Sequence, residues 1–300
     1  MFEVFFSKIK VKQGIGLLAL ITVSIWLAFF SFPSQKLEIV FCDVGQGDAI
    51  IIQKGFNQML IDGGPNQKVL ECLANNLPFF DRTIEIVALT HPQADHLTGI
   101  DFVIDRYSVD YFLSGPEGNE STGYKKLIEK IKSRKQTKIH NPYLGEKIEF
   151  AGMEIYSLWP ERSWVAQKLG TDFIASDYTK EESVLGVSTT ADLNEFSLVF
   201  LLKYGGFQAL FTGDADSGIQ DEILLANDSL NQIDILKVPH HGAKSALLPG
   251  FLEILNPQIA VISVGKNSYG HPSGELIKKM EELGIKVRRT DLEGEIKLTI

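Results

Sequence analysis

Five of the chain's six histidines, His91, His96, His240, His241 and His271, fall just after apolar segments of strand character. The sixth, His140, lies in an ordinary polar stretch. The densest group is Thr90-His91-Pro92-Gln93-Ala94-Asp95-His96, directly after the apolar run Ile84–Leu89. A strand turning into a helix lets side chains so close in sequence converge on one point. Imidazoles mixed with carboxylates are ligands for Zn²⁺ or Mn²⁺. Such an ion lowers the pKa of a bound water toward ~7, and two ions about 3.5–4 Å apart stabilise both oxygens of a phosphodiester displacement. A lone histidine after a strand is more often structural. Five of six, with carboxylates beside them, point to metal-dependent hydrolysis.

The elements that must position these residues are legible from short apolar runs between turn signals. Leu37–Val44, Asp48–Gln53 and Gln58–Asp62 read as successive strands, with a helix over Gln67–Leu77 and a buried strand over Ile84–Leu89. A helix follows Asp95, then the strand Tyr111–Ser114 and the amphipathic stretch Gly123–Lys135. Lys147–Trp159 reads as a hairpin around Ala151-Gly152. Residues 161–194 lack periodicity and are expected to form a long flexible insertion. Strands resume at Phe196–Lys203 and Phe207–Thr212, and strand–helix units continue to Ile300. Each half opens with antiparallel hairpins and passes to strand–helix units, which predicts two sheets with helices outside.

At the histidine motifs the chain resembles the metallo-β-lactamase fold, whose signature is His-x-His-x-Asp-His. Met59-Leu60-Ile61-Asp62-Gly63-Gly64 resembles that fold's early Asp-Gly-Gly turn, and Phe211-Thr212-Gly213-Asp214 its bridging-aspartate strand end. Within the fold, the chain is most similar to the C-terminal hydrolase domain of ComEC-type competence proteins. The residues that carry this are Phe41–Ala49, Asn194–Val199, Leu236–Ser245 and Tyr269–Ser273, and the likeness covers Leu37–Ile300. It implies a four-layer αβ/βα sandwich holding one or two ions, Zn²⁺ or Mn²⁺. It also implies that His91 belongs to a first metal site and that Asp95 and His96 bind a second. Asp214 would bridge them and His271 would be the last ligand of the second. His240 is assigned as a ligand and His241 as a substrate contact, with the exchange of these roles left open. Asp214, Asp95 and His241 are the expected catalytic groups, with Lys244 and Ser245 on the substrate phosphate. Asp62 would orient a ligand histidine from behind. Lys237 either assists at the phosphate or is a salt-bridge partner, and Asp43 and Asp48 read as turn residues.

Two positions depart from the pattern. Gln93 stands where the signature has its second histidine, and an amide oxygen is a weaker Zn²⁺ ligand than imidazole. ComEC-type domains often carry a non-histidine oxygen there. The usual middle histidine before Asp214 is absent, and Asn194 or Ser197 either lines the site or caps a strand.

Composition bounds the rest. With 300 residues, 44% hydrophobic and 22% charged, the chain is globular, and Cys42 and Cys72 are too few for a disulfide scaffold. Gly14–Phe32 carries no charge and, at about 20 apolar residues, is long enough for a bilayer core. Lys8, Lys10 and Lys12 before it place a tail, residues 1–13, in the cytoplasm. Residues 14–33 are the expected transmembrane anchor, and 37–300 the extracytoplasmic domain. A cleaved signal peptide is disfavoured because the run ends Phe29-Phe30-Ser31-Phe32-Pro33. Residues 1–36 hold four basic side chains and one acidic one, out of totals of 29 and 38, so the domain nets −12. DNA as substrate therefore follows from the resemblance, against the charge. The expected function is a membrane-anchored phosphodiesterase or nuclease related to DNA uptake, with a separate channel protein as a partner. The alternatives are a hydrolase of a cell-envelope phosphodiester or other small substrate, and a non-catalytic metal-binding module.

Overall fold

In the computed structural model of the protein, residues 11–30, 32–170, 183–227 and 230–300 are described. The first sheet uses strands β1 (Glu38–Phe41), β2 (Ile50–Lys54), β3 (Asn57–Ile61), β4 (Thr83–Leu89), β5 (Ser108–Ser114), β7 (Lys138–His140) and β16 (Ile296–Thr299). The second uses β8 (Lys147–Phe150), β9 (Met153–Trp159), β11 (Val199–Tyr204), β12 (Phe207–Phe211), β13 (Ile235–Lys237), β14 (Ile259–Ile262) and β15 (Lys286–Arg289). A small parallel pair joins β6 (Glu117–Gly118) to β10 (Val187–Ser188). The sheet orders are β16-β1-β2-β3-β4-β5-β7 and β15-β14-β13-β12-β11-β9-β8. In each, antiparallel pairing gives way to parallel pairing halfway across, at β3–β4 and β12–β13.

Alternation along the strands explains the layers, since successive side chains face opposite ways. In β1, Ile39 and Phe41 face the second sheet, where they meet Phe200 and Phe211, while Val40 faces helices. Helices α2 (Lys68–Asn76), α3 (Ala94–Arg106) and α4 (Thr122–Ser133) cover the first sheet. Helices α6 (Gln220–Ala226), α7 (Pro249–Leu255) and α8 (Gly274–Glu282) cover the second. The result is the expected four-layer sandwich. Strand β16 returns from the second half to pair with β1, closing the first sheet's edge.

Two parts of the sequence reading change. The stretch read as a flexible insertion begins with helix α5 (Arg162–Leu169), packed through Val165 and Ala166 against Phe196. Of that stretch, residues 171–182 lie outside the described residues. Helix α1 (Val11–Phe30) covers most of the expected anchor, while residues 1–10 of the expected tail also lie outside. Among the described residues no helix is long and apolar enough to cross a membrane. The α1 side chains described are those of residues 13–26, fewer than the about 20 residues a bilayer core requires. Cys42 and Cys72 form a disulfide that ties β1 to α2.

Close backbone packing sets the site. A Cβ on Gly99 would lie 1.7 Å from the Gly63 carbonyl oxygen, so the turn after β3 presses directly on α3. A Cβ on Gly47 would lie 2.2 Å from the Asp95 carbonyl oxygen, which holds the loop before β2 against the start of the same helix.

Candidate metal centre

The site lies at the C-terminal ends of β3, β4, β12 and β13, where parallel strands release their chains into loops. Asp62 follows β3 and is buried. It accepts hydrogen bonds from the Thr90 backbone N–H (2.8 Å), the Thr90 hydroxyl (2.8 Å) and His96 Nδ1 (2.8 Å). The Thr90 hydroxyl spends its proton on Asp62, so at its contact with His91 Nδ1 (3.1 Å) it accepts. His241 Nδ1 lies 2.9 Å from the Ser263 carbonyl oxygen, which can only accept. Three histidines thus hold Nδ1 on fixed partners and turn Nε2 toward the site. Support of this kind fixes the tautomer of a metal-binding imidazole.

Those Nε2 atoms converge. Asp214 Oδ2 is 3.4 Å from His96 Nε2 and 3.5 Å from His241 Nε2, and Asp95 Oδ2 is 3.4 Å from His241 Nε2. The ligand atoms of His91, His96 and Asp214 all lie within 4.8 Å of one another, as do those of Asp95, His96 and His241. His91 Nε2, His96 Nε2, His241 Nε2 and Asp214 Oδ1 are buried without a hydrogen-bond partner. Buried polar atoms are ordinarily satisfied. These two groups share His96, and their nitrogens and carboxylates turn inward, which fits one divalent cation, or two with His96 Nε2 on only one of them.

The charges agree. Burial, with the charge of His96 adding to it, holds His91 neutral, well below the ordinary histidine range. Burial opposes charge on His96, but Asp214 and Asp62 outweigh it and raise its pKa. Burial likewise opposes ionisation of Asp214, and His241 and His96 overcome it. Asp95 is held ionised against its partial burial by His241 and His96.

Other residues fall differently from the sequence reading. His241, assigned there to the substrate, sits inside the cluster. His240, assigned as a ligand, belongs to none of the three-residue groups, and its buried Nδ1 lies 3.8 Å from Asp216 Oδ2. Both adopt left-handed backbone, with φ of 46° and 52°, so the chain reverses within two residues and sends the rings apart. His271 stacks edge-on to His240 at 5.5 Å and belongs to the rim rather than to any of the four three-residue groups, two of which include Asp48. Gln93 donates from Nε2 to Asn194 Oδ1 (2.6 Å). Ser197 is buried 3.3 Å from His91 Nδ1 and accepts from the Asp214 backbone N–H at 3.1 Å, so it lines the site. Lys244 is exposed and 3.6 Å from Glu275, and Ser245 is exposed, with its carbonyl accepting from Ser217.

One site residue, Asp48, escaped the sequence reading, and Lys237 takes the salt-bridge alternative. Asp48, read as a turn residue, is buried and forms an ion pair with Lys237, which is buried too. Lys237 Nζ also donates to the Gly213 carbonyl (2.7 Å) and lies 3.6 Å from Asp214 Oδ1. It therefore supports the carboxylate from beneath and does not reach toward a phosphate. The available signal was a lysine closing an otherwise apolar parallel strand, where a charge must find a buried partner.

A sequence model of the Metallo-beta-lactamase superfamily matches residues 42–266. The chain is 24% identical over 302 residues to ComE operon protein 3 of Bacillus subtilis, covering 92% of this chain and 34% of that protein. It is 32% identical over 264 residues to competence protein ComA of Neisseria gonorrhoeae, covering 87% and 32%. The chain thus spans about a third of the length of these relatives. Among solved structures, the metallo-beta-lactamase fold protein YhfI of Bacillus subtilis superposes with a TM-score of 0.53 at 12% identity, over 88% of this chain and 100% of that one. CmlA, a diiron β-hydroxylase from Streptomyces venezuelae, gives 0.52 at 12% identity, over 89% and 55%. These two likenesses concern the fold. Fold, cluster and sequence match agree: the chain belongs to the metallo-beta-lactamase superfamily, as a metal-dependent hydrolase related to competence proteins.

Proposed function

We propose that this chain is a phosphodiesterase, acting on nucleic acid, held at the outer face of a membrane by α1. The observation that carries the catalytic part is the convergence of three buried, unpartnered Nε2 atoms on Asp214 and Asp95. His91, His96 and Asp214 would hold one Zn²⁺ or Mn²⁺, and Asp95 and His241 would line a second position, with His96 Nε2 serving one ion at a time. A divalent cation there supplies Lewis-acid charge for a phosphoryl centre. The chain's own residues supply the rest. Asp95, partly open to solvent, accepts a hydrogen bond from the attacking water and orients it. His240 and His271, part-exposed at the rim, face the side from which a phosphate enters. Lys237 holds one oxygen of Asp214 and leaves Oδ2 turned toward His96 and His241.

Nucleic acid as substrate rests on kinship to the competence proteins. The acidic domain argues for a short local contact with few phosphates, because a net charge of this sign repels the polymer at long range. Placement outside the membrane is supported by the uncharged run Gly14–Phe32 and by the Cys42–Cys72 disulfide, which persists in oxidising compartments. The test is metal analysis of the full chain in detergent, followed by assays on single-stranded DNA, duplex DNA and bis(p-nitrophenyl) phosphate. Turnover of DNA dependent on Zn²⁺ or Mn²⁺ is expected. Metal-loaded protein that turns over the small diester but not DNA would shift the substrate to another phosphodiester. Substoichiometric metal would sink the hydrolase reading altogether.

A further inference from the structure

Far from the metal centre, four phenylalanines lie together at the surface. Phe32 meets Phe56 at 5.7 Å between ring centroids, Phe56 meets Phe80 at 6.1 Å, and Phe80 meets Phe79 at 5.3 Å. Their exposures are 64%, 37%, 49% and 72% in that order. Scattered exposed apolar residues are normal, but a contiguous aromatic patch marks an interaction surface. The rings come from three separate segments: the stretch after α1, the β2–β3 turn and the loop between α2 and β4. Their gathering is fixed by the backbone, since Gly55 N–H, in the β2–β3 turn, donates to the Ser34 carbonyl at 2.8 Å. The patch is thereby joined to the end of α1.

Helix α1 says what covers it. Ile15, Leu17, Leu18, Leu20, Ile21, Val23 and Ile25 are all exposed, between 48% and 70%, and they point around the whole helix rather than along one stripe. A protein groove would account for one face, whereas a lipid phase accounts for all of them. Phenylalanine rings just beyond such a helix suit the apolar edge of the interfacial layer. Exposed Lys36 and Arg82 flank the patch and suit the headgroups beyond it. The neighbouring acid, Asp81, is engaged by Gln58 Nε2 at 3.2 Å and by the Thr83 N–H at 3.1 Å.

Strand direction then sets an orientation. Phe56 immediately precedes β3, and Phe79 and Phe80 precede β4; these strands are parallel. Asp62 and His91 follow the same two strands at their other ends. Strands of five and seven residues span roughly 15–25 Å at ~3.3 Å per residue. We propose that this aromatic pole seats on the lipid bilayer as a continuation of α1, so that the metal centre opens away from the membrane toward the aqueous phase. The proposal rests on the membrane placement of α1 and adds to it a docking face and an orientation.

The test uses the full chain with Trp26→Phe, which removes the helix's own fluorophore, reconstituted into phosphatidylcholine vesicles with brominated acyl chains. Phe79→Trp reports the patch, and Tyr269→Trp, exposed beside His271, reports the opposite pole. Relative to the Trp26→Phe parent, Phe79→Trp should add emission that is quenched at least twofold, and Tyr269→Trp emission that is not. Vesicle-bound protein with unquenched Phe79→Trp, or with Tyr269→Trp quenched equally, overturns the orientation and leaves the anchor reading standing. Protein that does not float with vesicles overturns both.

Discussion

Lys237 and Asp48 form a fully buried ion pair that joins the two halves of the sandwich beneath the metal centre. Lys237 closes β13 of the second sheet, and Asp48 lies in the loop before β2 of the first. The ammonium also lies 3.6 Å from Asp214 Oδ1, so one cation serves two carboxylates. Removing it leaves both acids buried and repelling each other. Lys237→Met should therefore destabilise the fold by about 3–5 kcal/mol. Lys237→Met combined with Asp48→Asn should cost clearly less than the sum of the single changes in denaturant unfolding. Strict additivity would mean that the pair is not energetically coupled.

Asp62 orients His96 so that Nε2 faces the site, through the 2.8 Å contact to Nδ1. Asp62→Asn should lower Zn²⁺ or Mn²⁺ affinity by roughly 10–100-fold, as loss of such supports does, with the fold retained. Isothermal titration of metal into the purified variant measures this, and unchanged affinity would remove Asp62 from the site.

The two adjacent histidines should separate by readout. His241→Ala should weaken metal binding by at least ~10-fold, because its Nε2 faces Asp95 and Asp214. His240→Ala should leave metal affinity within about threefold and raise KM for a phosphodiester, since a rim contact acts on binding. Equal loss of metal in both variants would contradict the assignment.

Glu117 on β6 is buried with neither carboxylate oxygen hydrogen-bonded, and burial pushes its pKa up to about 8 from 4.5. The folded state then binds this proton more tightly than the unfolded state does. Stability contributed at low pH is lost as pH rises from about 4.5 through about 8. Glu117→Gln should flatten that slope and raise Tm above wild type at alkaline pH. A wild-type Tm that holds level across this window would refute the account.

The Cys42–Cys72 disulfide closes a 30-residue separation. Reduction should cost roughly 2–4 kcal/mol by the chain-entropy estimate. The unfolding midpoint in denaturant, with and without reductant, measures it.

Much of the molecule is legible in the linear chain for a local reason. Period-two apolar runs and glycine turns encode strands and hairpins within a few residues, and Thr90–His96 encodes a strand-to-helix turn whose side chains must converge. His91, Asp95 and His96 could be named as a cluster on those grounds, and Asp214 through the resemblance of its strand end to the family's. The roles of His240 and His241 could not, because the two share the same left-handed backbone and differ only in what waits nearby, Asp216 for His240 and Ser263 for His241. Helix α5 escaped because its stretch shows no apolar period, and its burial comes from Phe196 in a later segment. Asp48 read as a turn residue because its partner, Lys237, stands 189 positions away and the pairing exists only once both sheets are packed. Short-range chemistry thus follows from neighbours in sequence. Which nitrogen faces the site, which carboxylate is neutralised and which pole carries the aromatic rings depend on contacts between segments distant in sequence, and only the folded molecule makes those.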